Sequence, residues 1–194
     1  MYKKLDQAAL DAILECGVDE FAHCGFQPAS VANVARAAGV SVGVIYKYFG
    51  DKQSLFLACV RHSLELLDAT LREAVPEGAD AETSIRALVP ALIAAARQHG
   101  NYNVLYNEIT SGSCREFAPE LAREIESRTA QLYTRLFETV KEAGALAPGL
   151  APEAAAFFFD NLLMMLQFSY SCDYYQHRMR LYCGENAAWN DEMM

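Results

Sequence analysis

Apolar residues recur every three or four positions along almost the whole chain of 194 residues, and this spacing constrains the fold more than any other feature. A period near 3.6 residues places apolar side chains on one face of an α-helix, whereas a half-buried strand needs strict alternation. Residues 5–24 show the helical pattern at Ala9, Ile13 and Phe21, and Gly25 ends it. Alternating segments are hard to find elsewhere. The sequence therefore predicts an all-α fold.

The helical pattern continues to the end of the chain, with about nine helices in total. Two short helices follow the first, and the chain breaks and restarts at Gly50-Asp51 before a long helix that Pro76 and Gly78 end. Proline at the first turn and glycine after the last mark helix bounds. We expect the later helices over residues 52–75, 82–97, 101–111 and 118–142, and from Pro152 to about Gly184 with a break near Ser171-Cys172-Asp173.

Charge is distributed unevenly along the chain. The formal net charge is −9 at pH 7, which argues against a protein that binds any polyanion. Residues 25–52 are different, because Arg36, Lys47 and Lys52 face a single acid, Asp51. This locally basic stretch is the part of the chain best suited to contact nucleic acid.

Composition and motifs favour a soluble cytoplasmic protein that is not an enzyme. The six cysteines form no CxxC pair, which suits free thiols in a reducing compartment. The N-terminus lacks the apolar segment of a signal peptide, and the longest apolar run contains Asp160, which would cost about 2.5–3.5 kcal/mol at a bilayer centre. There is no nucleophile elbow, no HExxH motif and no phosphate-binding glycine loop. We expect no cofactor, no bound metal and no membrane contact.

The segment AGVSVGVIYKYFGDK, residues 38–52, resembles neither a hairpin nor a simple core helix. Gly39 and Gly43 lie four positions apart, and no two-residue turn separates alternating runs, so a hairpin is excluded. Three short helices, the second and third joined by a tight glycine turn, are instead typical of a helix-turn-helix unit. We expect Ser41 to cap the third helix, which runs through Phe49.

The third helix has an outward face whose chemistry suits DNA. Ile45 and Phe49 lie four positions apart and face inward with Val40. Glycine permits close backbone approach, valine can contact a thymine methyl group, and lysine can reach guanine O6 and N7. The outward residues are Val42, Gly43, Tyr46 and Lys47. Half-buried packing is an equally good explanation for Tyr46 or Tyr48 taken alone.

Residues 13–56, ILECGVDEFAHCGFQPASVANVARAAGVSVGVIYKYFGDKQSLF, resemble the N-terminal domain of TetR-family transcriptional regulators. The match includes the Phe-x-x-x-Gly-Phe end of the first helix, the Gly-x-x-Tyr-x-Tyr-Phe motif and the Lys-x-x-Leu start of the fourth helix, and extends to about residue 60. The resemblance implies an N-terminal three-helix helix-turn-helix DNA-binding domain over residues 1–51. It also implies a C-terminal helical ligand-binding and dimerisation domain over residues 52–194.

The resemblance further implies a homodimeric repressor that binds double-stranded DNA at an inverted-repeat operator and is released by a small-molecule effector. Three residues depart from the family pattern: Val44 replaces a small or hydroxyl-bearing residue, Glu20 an apolar residue and Gly17 an alanine. The last two are expected to weaken the first helix, since glycine inside a helix costs about 1 kcal/mol against alanine. Carried over position by position, the DNA-binding residues are Ser30, Val42, Gly43, Val44, Tyr46, Lys47, Tyr48 and Lys52, with Ser30 also capping the second helix.

The later helices are expected to supply the dimer interface and an effector pocket. An apolar helix covered by its own core on one side and by a partner on the other is apolar nearly all round, as residues 154–170 are. The predicted interface residues are Leu132, Leu136, Phe157, Phe158, Leu162 and Leu166. The pocket candidates, which suit an aromatic or amphipathic molecule but also ordinary core packing, are His62, Leu66, His99, Tyr102, Asn103, Tyr106, Cys114, Met165 and Tyr170.

Two alternatives remain open at this point. Cys172, His177 and Cys183 lie within twelve residues and suggest a redox- or metal-responsive regulator, provided that a kink brings them together. A dimeric interaction or ligand-binding protein without DNA binding is the other alternative. Retention of Tyr46, Lys47 and Lys52 argues against it.

Overall fold

The computed structural model describes residues 5–75 and 78–185, in which nine α-helices and one short 3₁₀ helix occur and no strand is present. The all-α prediction is confirmed, and the predicted helix bounds agree closely with those observed; Pro76 lies outside the described residues. The helices are α1 (Gln7–Cys24), α2 (Val31–Ala37), α3 (Val42–Phe49), α4 (Lys52–Ala74), α5 (Ala81–Gln98), α6 (Gly100–Ile109), the 3₁₀ helix (Gly112–Cys114), α7 (Ala118–Glu142), α8 (Pro152–Ser171) and α9 (Asp173–Cys183).

Aspartates cap three of the helices. The carboxylates of Asp6, Asp51 and Asp80 accept hydrogen bonds from backbone N–H groups in the first turns of α1, α4 and α5. Each bond pairs a donor that the helix itself leaves unpaired. Ser41 occupies the N-cap position of α3 in extended backbone, but its hydroxyl forms no capping hydrogen bond. The expectation that Ser41 caps α3 through its side chain is therefore wrong.

A buried cluster of aromatic rings joins the helix-turn-helix unit to the later helices. Phe26, which follows α1, packs against Phe56 of α4 at 4.9 Å and against Phe117 at 5.4 Å between ring centroids. Phe21 meets Phe56 edge to face at 5.1 Å. Apolar side chains of α1 to α4, α6 and the start of α7 belong to one continuous core. The domain boundary at residue 51 stays a prediction, since this core extends across it.

Gly17 allows α1 and α4 to approach closely. A Cβ atom at this position would lie 2.5 Å from the Sγ atom of Cys59, which is fully buried. Such a separation is far shorter than a van der Waals contact, so a larger residue requires the Cys59 side chain or the helices to shift. Gly17 therefore has a packing role that its helix propensity alone does not reveal.

We predict that Gly17→Ala destabilises the protein by about 1–3 kcal/mol, because the added methyl group overpacks a filled core. This loss should exceed the roughly 1 kcal/mol that alanine gains in helix propensity. In a Cys59→Ala background the obstructing sulfur is absent, so Gly17→Ala should then be neutral or stabilising. Thermal and urea unfolding of the four proteins in this double-mutant cycle measures the coupling. Equal effects of Gly17→Ala in both backgrounds would contradict the packing explanation.

The helices α5, α7 and α8 pack around a second core, and α8 leaves part of its apolar surface uncovered. Phe159 turns inward and contacts the rings of Tyr133 at 5.2 Å and Phe137 at 5.6 Å. Phe158 and Leu162 point outward instead. The chain bends at Cys172, whose extended backbone separates α8 from α9 and confirms the predicted break. None of the described helices has the length and apolar character needed to cross a bilayer.

Candidate nucleic-acid interface and effector cavity

The helix α3 presents the outward face that the sequence predicts. Ile45 is buried against the core, whereas Val42, Gly43 and Lys47 are exposed and Tyr46 is 48% exposed. The helix is two turns long and ends at Gly50, so this face projects from the surface. Val44 differs from the expectation, because it is half-buried against the core. A base contact from Val44 is therefore not supported.

The turn between α2 and α3 is held by backbone hydrogen bonds. The Val40 N–H group donates to the Ala35 carbonyl at 2.9 Å, and Gly39 adopts a φ of +67°. A left-handed residue just after a helix is the usual way to close its last turn, and glycine adopts it without strain. The angle between α2 and α3 thus follows from Gly39 and the apolar contacts of Val34 and Ile45.

Glu20 of α1 caps the N-terminus of α2. Its Oε1 atom accepts hydrogen bonds from the Ser30 N–H group at 2.8 Å and from Asn33 Nδ2 at 3.0 Å. Burial opposes the ionised carboxylate, but these hydrogen bonds outweigh it, and the pKa of Glu20 lies below its ordinary value. Glu20 therefore supports α2 from outside, which corrects the view that it only weakens α1.

Ser30 does not cap α2 through its side chain, contrary to the expectation from the sequence. Its hydroxyl forms no capping hydrogen bond, although the residue lies at the N-cap position of α2. Its backbone N–H group is bonded to the Glu20 carboxylate, so it is not available to a phosphate, and that negative charge would repel one. A phosphate contact from the Ser30 hydroxyl stays a prediction.

Tyr48 and Lys52 also have partners within the protein. The Leu5 N–H group donates to the Tyr48 hydroxyl at 2.7 Å. Lys52 Nζ donates to the Gln27 carbonyl at 2.7 Å and lies 5.2 Å from the centroid of the Phe26 ring. Half-buried packing therefore explains Tyr48, but not the exposed Tyr46. An ammonium group has three donors, so Lys52 retains capacity for a phosphate.

We predict that Glu20→Ala lowers the free energy of unfolding by about 1–2 kcal/mol, the cost of losing a helix cap. Glu20→Gln keeps a neutral acceptor and should lose less. Because the pKa of Glu20 is lowered on folding, its contribution is complete above the ordinary value of 4.5 and is lost as the pH falls through the folded value. Thermal unfolding at pH 7 and pH 3 measures this: the difference between wild type and Glu20→Gln should shrink at pH 3. A difference independent of pH would contradict an ionised cap.

A cavity of about 70 Å³ lies among α4, α5, α6, α7 and α8. Five of the nine candidate residues line it: Leu66, His99, Tyr102, Asn103 and Tyr106. The other four lie elsewhere. His62 pairs with Glu15, Cys114 is buried in the N-terminal core, Met164 lines the wall in place of Met165, and Tyr170 packs beside Ile93.

The acidic side of this cavity was not predicted from the sequence. Glu126 of α7 and Asp160 of α8 line it together with Tyr133. The Tyr106 hydroxyl donates to Glu126 Oε1 at 2.6 Å, and burial, with the neighbouring Glu126 carboxylate, raises the pKa of Asp160 to about 6. The position of Asp160 within an otherwise apolar run was the available signal, since a buried carboxylate usually has a function or a partner.

The helix α6 connects the cavity to α1. Tyr102, which lines the cavity, donates its hydroxyl to Glu15 of α1, and His62 Nε2 lies 2.9 Å from the same carboxylate. Asn101 Nδ2 donates to Asp19 at 2.7 Å. At the other end of α6, Glu108 Oε1 accepts the Phe26 N–H group at 3.0 Å. Both ends of α6 are thus hydrogen-bonded to the helix-turn-helix unit.

The structure does not support a cysteine-based sensor. Cys172 precedes α9 and Cys183 ends it, so the two lie about 16 Å apart along an 11-residue helix. Burial, with Asp173, raises the pKa of Cys172 to about 11, which keeps this thiol protonated and poorly reactive. All six cysteines are free. Among residues 5–75 and 78–185, no group of three His, Cys, Asp or Glu residues is arranged to hold a metal ion.

Comparisons with known proteins agree with the geometry of the helix-turn-helix unit. Residues 13–59 match the family model described as bacterial regulatory proteins, tetR family. The HTH-type transcriptional regulator BetI of Burkholderia cenocepacia is 30% identical over 173 residues, which cover 76% of this chain and 85% of that protein. The chain belongs to the TetR family. It is therefore a DNA-binding transcriptional regulator, and its named relatives are regulators and not enzymes.

Solved structures share the whole TetR-family fold. The fatty acid degradation regulator FadR from Bacillus halodurans superposes with a TM-score of 0.73 at 22% identity, over 96% of this chain and 92% of that one. The regulator FadR from Bacillus subtilis in complex with stearoyl-CoA gives a TM-score of 0.70 at 17% identity, over 82% and 85%. At these identities the likeness concerns the fold alone.

Proposed function

We propose that this TetR-family protein is a homodimeric repressor that dissociates from an inverted-repeat operator when a small-molecule effector binds. The exposed face of α3 is the observation that carries the proposal. Lys47 and Tyr46 project from it, Gly43 leaves room for a groove edge, and the surrounding residues 25–52 are locally basic. An exposed apolar and aromatic face of this kind is poorly hydrated in water, but it can make favourable contacts in a DNA major groove.

The low number of cations makes binding depend on base contacts more than on phosphate contacts. Arg36, Lys47 and Lys52 are the basic residues between positions 25 and 52, and Lys52 already holds the Gln27 carbonyl. Few phosphate contacts give weak non-specific binding and a moderate dependence on salt. Specificity then comes from the α3 side chains and from the simultaneous docking of two helices on two half-sites.

We predict that Lys47→Ala or Tyr46→Ala weakens specific operator binding by roughly tenfold to a hundredfold, the value of a good base contact. The operator is first selected from random duplexes at ~150 mM salt, which suppresses purely electrostatic binding. Fluorescence anisotropy then measures affinity, and size-exclusion chromatography checks assembly. Lys141→Ala, at the exposed end of α7, is the matched control and should bind like wild type. Unchanged affinity in both α3 variants would show that α3 is not the helix that contacts the bases. Failure to select any operator would favour an interaction protein without DNA binding.

The proposed dimer forms through the uncovered face of α8. Phe157, Phe158 and Leu162 are 65%, 59% and 70% exposed, which is unusual for three large apolar side chains on one helix. A two-fold axis across this helix would bury the same patch on both subunits. Leu136 lies half-buried beside it, whereas Leu132 and Leu166 pack partly against their own protomer and contribute less.

We predict that Leu162→Glu converts the dimer to a monomer, because it places two charges in one apolar interface. Sedimentation velocity at micromolar concentration should show the monomer mass, and operator affinity should fall because only one half-site is held. Leu181→Glu adds the same charge to an exposed leucine of α9 and should remain dimeric. If Leu181→Glu dissociates and Leu162→Glu does not, the interface involves α9 instead.

The proposed effector response runs through α6. A ligand in the cavity touches Tyr102, whose hydroxyl is bonded to Glu15 of α1. A displacement of α6 also acts on Asp19 and on the Phe26 backbone through Asn101 and Glu108. Because α1 supports α2 through Glu20, a small tilt of α6 changes the position of α3. The effector releases DNA if it binds better to the tilted form than to the operator-bound form.

A further inference from the structure

We propose that the cavity takes an effector with a positively charged nitrogen group, which is held between the carboxyl groups of Glu126 and Asp160. The inference rests on the proposed function, since it assigns a chemical class to the effector of that cavity. The two carboxyl groups come from neighbouring helices, α7 and α8, and both face the cavity. No lysine or arginine is found among the described residues that line it.

The acidic pair has no protein cation to balance it inside the cavity. Tyr106 donates one hydrogen bond to Glu126, but its hydroxyl is uncharged and does not neutralise the negative charge of the carboxylate. Two neighbouring carboxylates in a partly apolar enclosure repel each other and lose hydration, so one of them binds a proton more readily. Burial raises the pKa of Asp160 to about 6, and the charge of Glu126 and a hydrogen bond between the two carboxyl groups add to the effect. A cation between the two groups removes the same repulsion.

Tyr133 provides a second and independent indication that this cavity binds a polar ligand. Its side chain is 2% exposed and lines the cavity, yet its hydroxyl forms no hydrogen bond with any residue in the part of the chain that the structure describes. A hydroxyl that opens into a cavity without a protein partner is free to bond a ligand or a water molecule there. The rings of Tyr133 and Tyr106 lie beside the acidic pair, and aromatic faces stabilise ammonium groups further.

The other residues that line the cavity indicate the chemistry of the uncharged part of the ligand. Leu66, Leu67, Ile125 and Met164 add apolar surface to the wall of the same cavity. A molecule with one cationic end and a short hydrocarbon body matches both parts. An anionic ligand would place its charge against two acids without a basic partner. Stearoyl-CoA, the ligand of the Bacillus subtilis FadR complex, is of that anionic class, so the shared fold does not imply a shared effector.

The acidic pair makes the affinity for a cation depend on pH. The titratable groups that line the cavity around Asp160 are Glu126 and Tyr133 from α7, Tyr102 and Tyr106 from α6, and His99 at the start of α6. Asp160 is mostly ionised at pH 7.5 and mostly protonated at pH 5, because its pKa is about 6. Protonation of Asp160 removes a negative charge from the cavity, so cation affinity should fall as the pH decreases from 7.5 to 5.

A series of probes that share a six-carbon chain tests the charge preference on the full-length protein. We expect hexyltrimethylammonium and hexylammonium to raise the melting temperature at pH 7.5 and to give saturable calorimetric titrations. The neutral 1-hexanol should bind at least roughly tenfold more weakly, as expected when a charged contact is lost, and hexanoate should not bind. Equal binding of ammonium and carboxylate probes, or no binding of either ammonium probe at 10 mM (about the weakest affinity of interest), overturns the inference.

Variants then locate the charge. Glu126→Gln and Asp160→Asn should each weaken hexyltrimethylammonium by roughly tenfold or more and flatten its pH dependence. Glu138→Gln makes the same change at an exposed position of α7 and should leave affinity unchanged. Melting curves without ligand confirm that the variants fold, since removing a buried charge should not lower their stability. If Glu138→Gln weakens binding as much as Glu126→Gln, the probe binds a diffuse acidic surface and the assigned site is wrong.

The same proteins separate this inference from the proposed function. Operator binding by wild type is measured without any probe and depends only on the α3 face and the dimer. If the operator is bound but no ammonium probe interacts with the cavity, the effector class is wrong and the regulator assignment stands. If the probes bind as expected but no operator is selected, the cavity assignment stands and the repressor assignment fails.

Discussion

The close packing of α1 against α4 is the contact on which the rest of the structure depends. Gly17 and the buried Cys59 determine how near the two helices lie, and the aromatic core beginning at Phe21 holds that position. The helix α4 continues from this contact to the cavity wall at Leu66, so one rigid element belongs to both parts of the molecule. The helix-turn-helix unit and the cavity wall are thus packed against the same helix.

Acidic side chains have a structural role in connecting these parts. Glu15, Glu20 and Glu108 each accept hydrogen bonds from residues distant in sequence. A carboxylate oxygen accepts several donors at once, and its bonds are stronger than those of a neutral acceptor. Residues 1–51 contain six acids against four bases. Glu15 and Glu20 are among these acids and hold helices together, while Lys47 projects outward.

Local patterns predicted the helices well and the site only in part. Apolar periodicity and the glycines and prolines at helix ends give the helix bounds, and the spacing of Ile45 and Phe49 gives the outward face of α3. The half-buried position of Val44 was missed, because it depends on neighbours from other helices. Glu126 and Asp160 were missed for the same reason, since they come together only where α7 meets α8.

The sequence by itself determined the all-α class, the helix-turn-helix unit and the direction in which Tyr46 and Lys47 point. Each of these follows from interactions within one or two turns of helix, which the residue order specifies directly. The tertiary structure decided the cap from Glu20, the need for glycine at position 17 and the acidic pair in the cavity. These features depend on distances between helices, and such distances are set by the packing of the complete core.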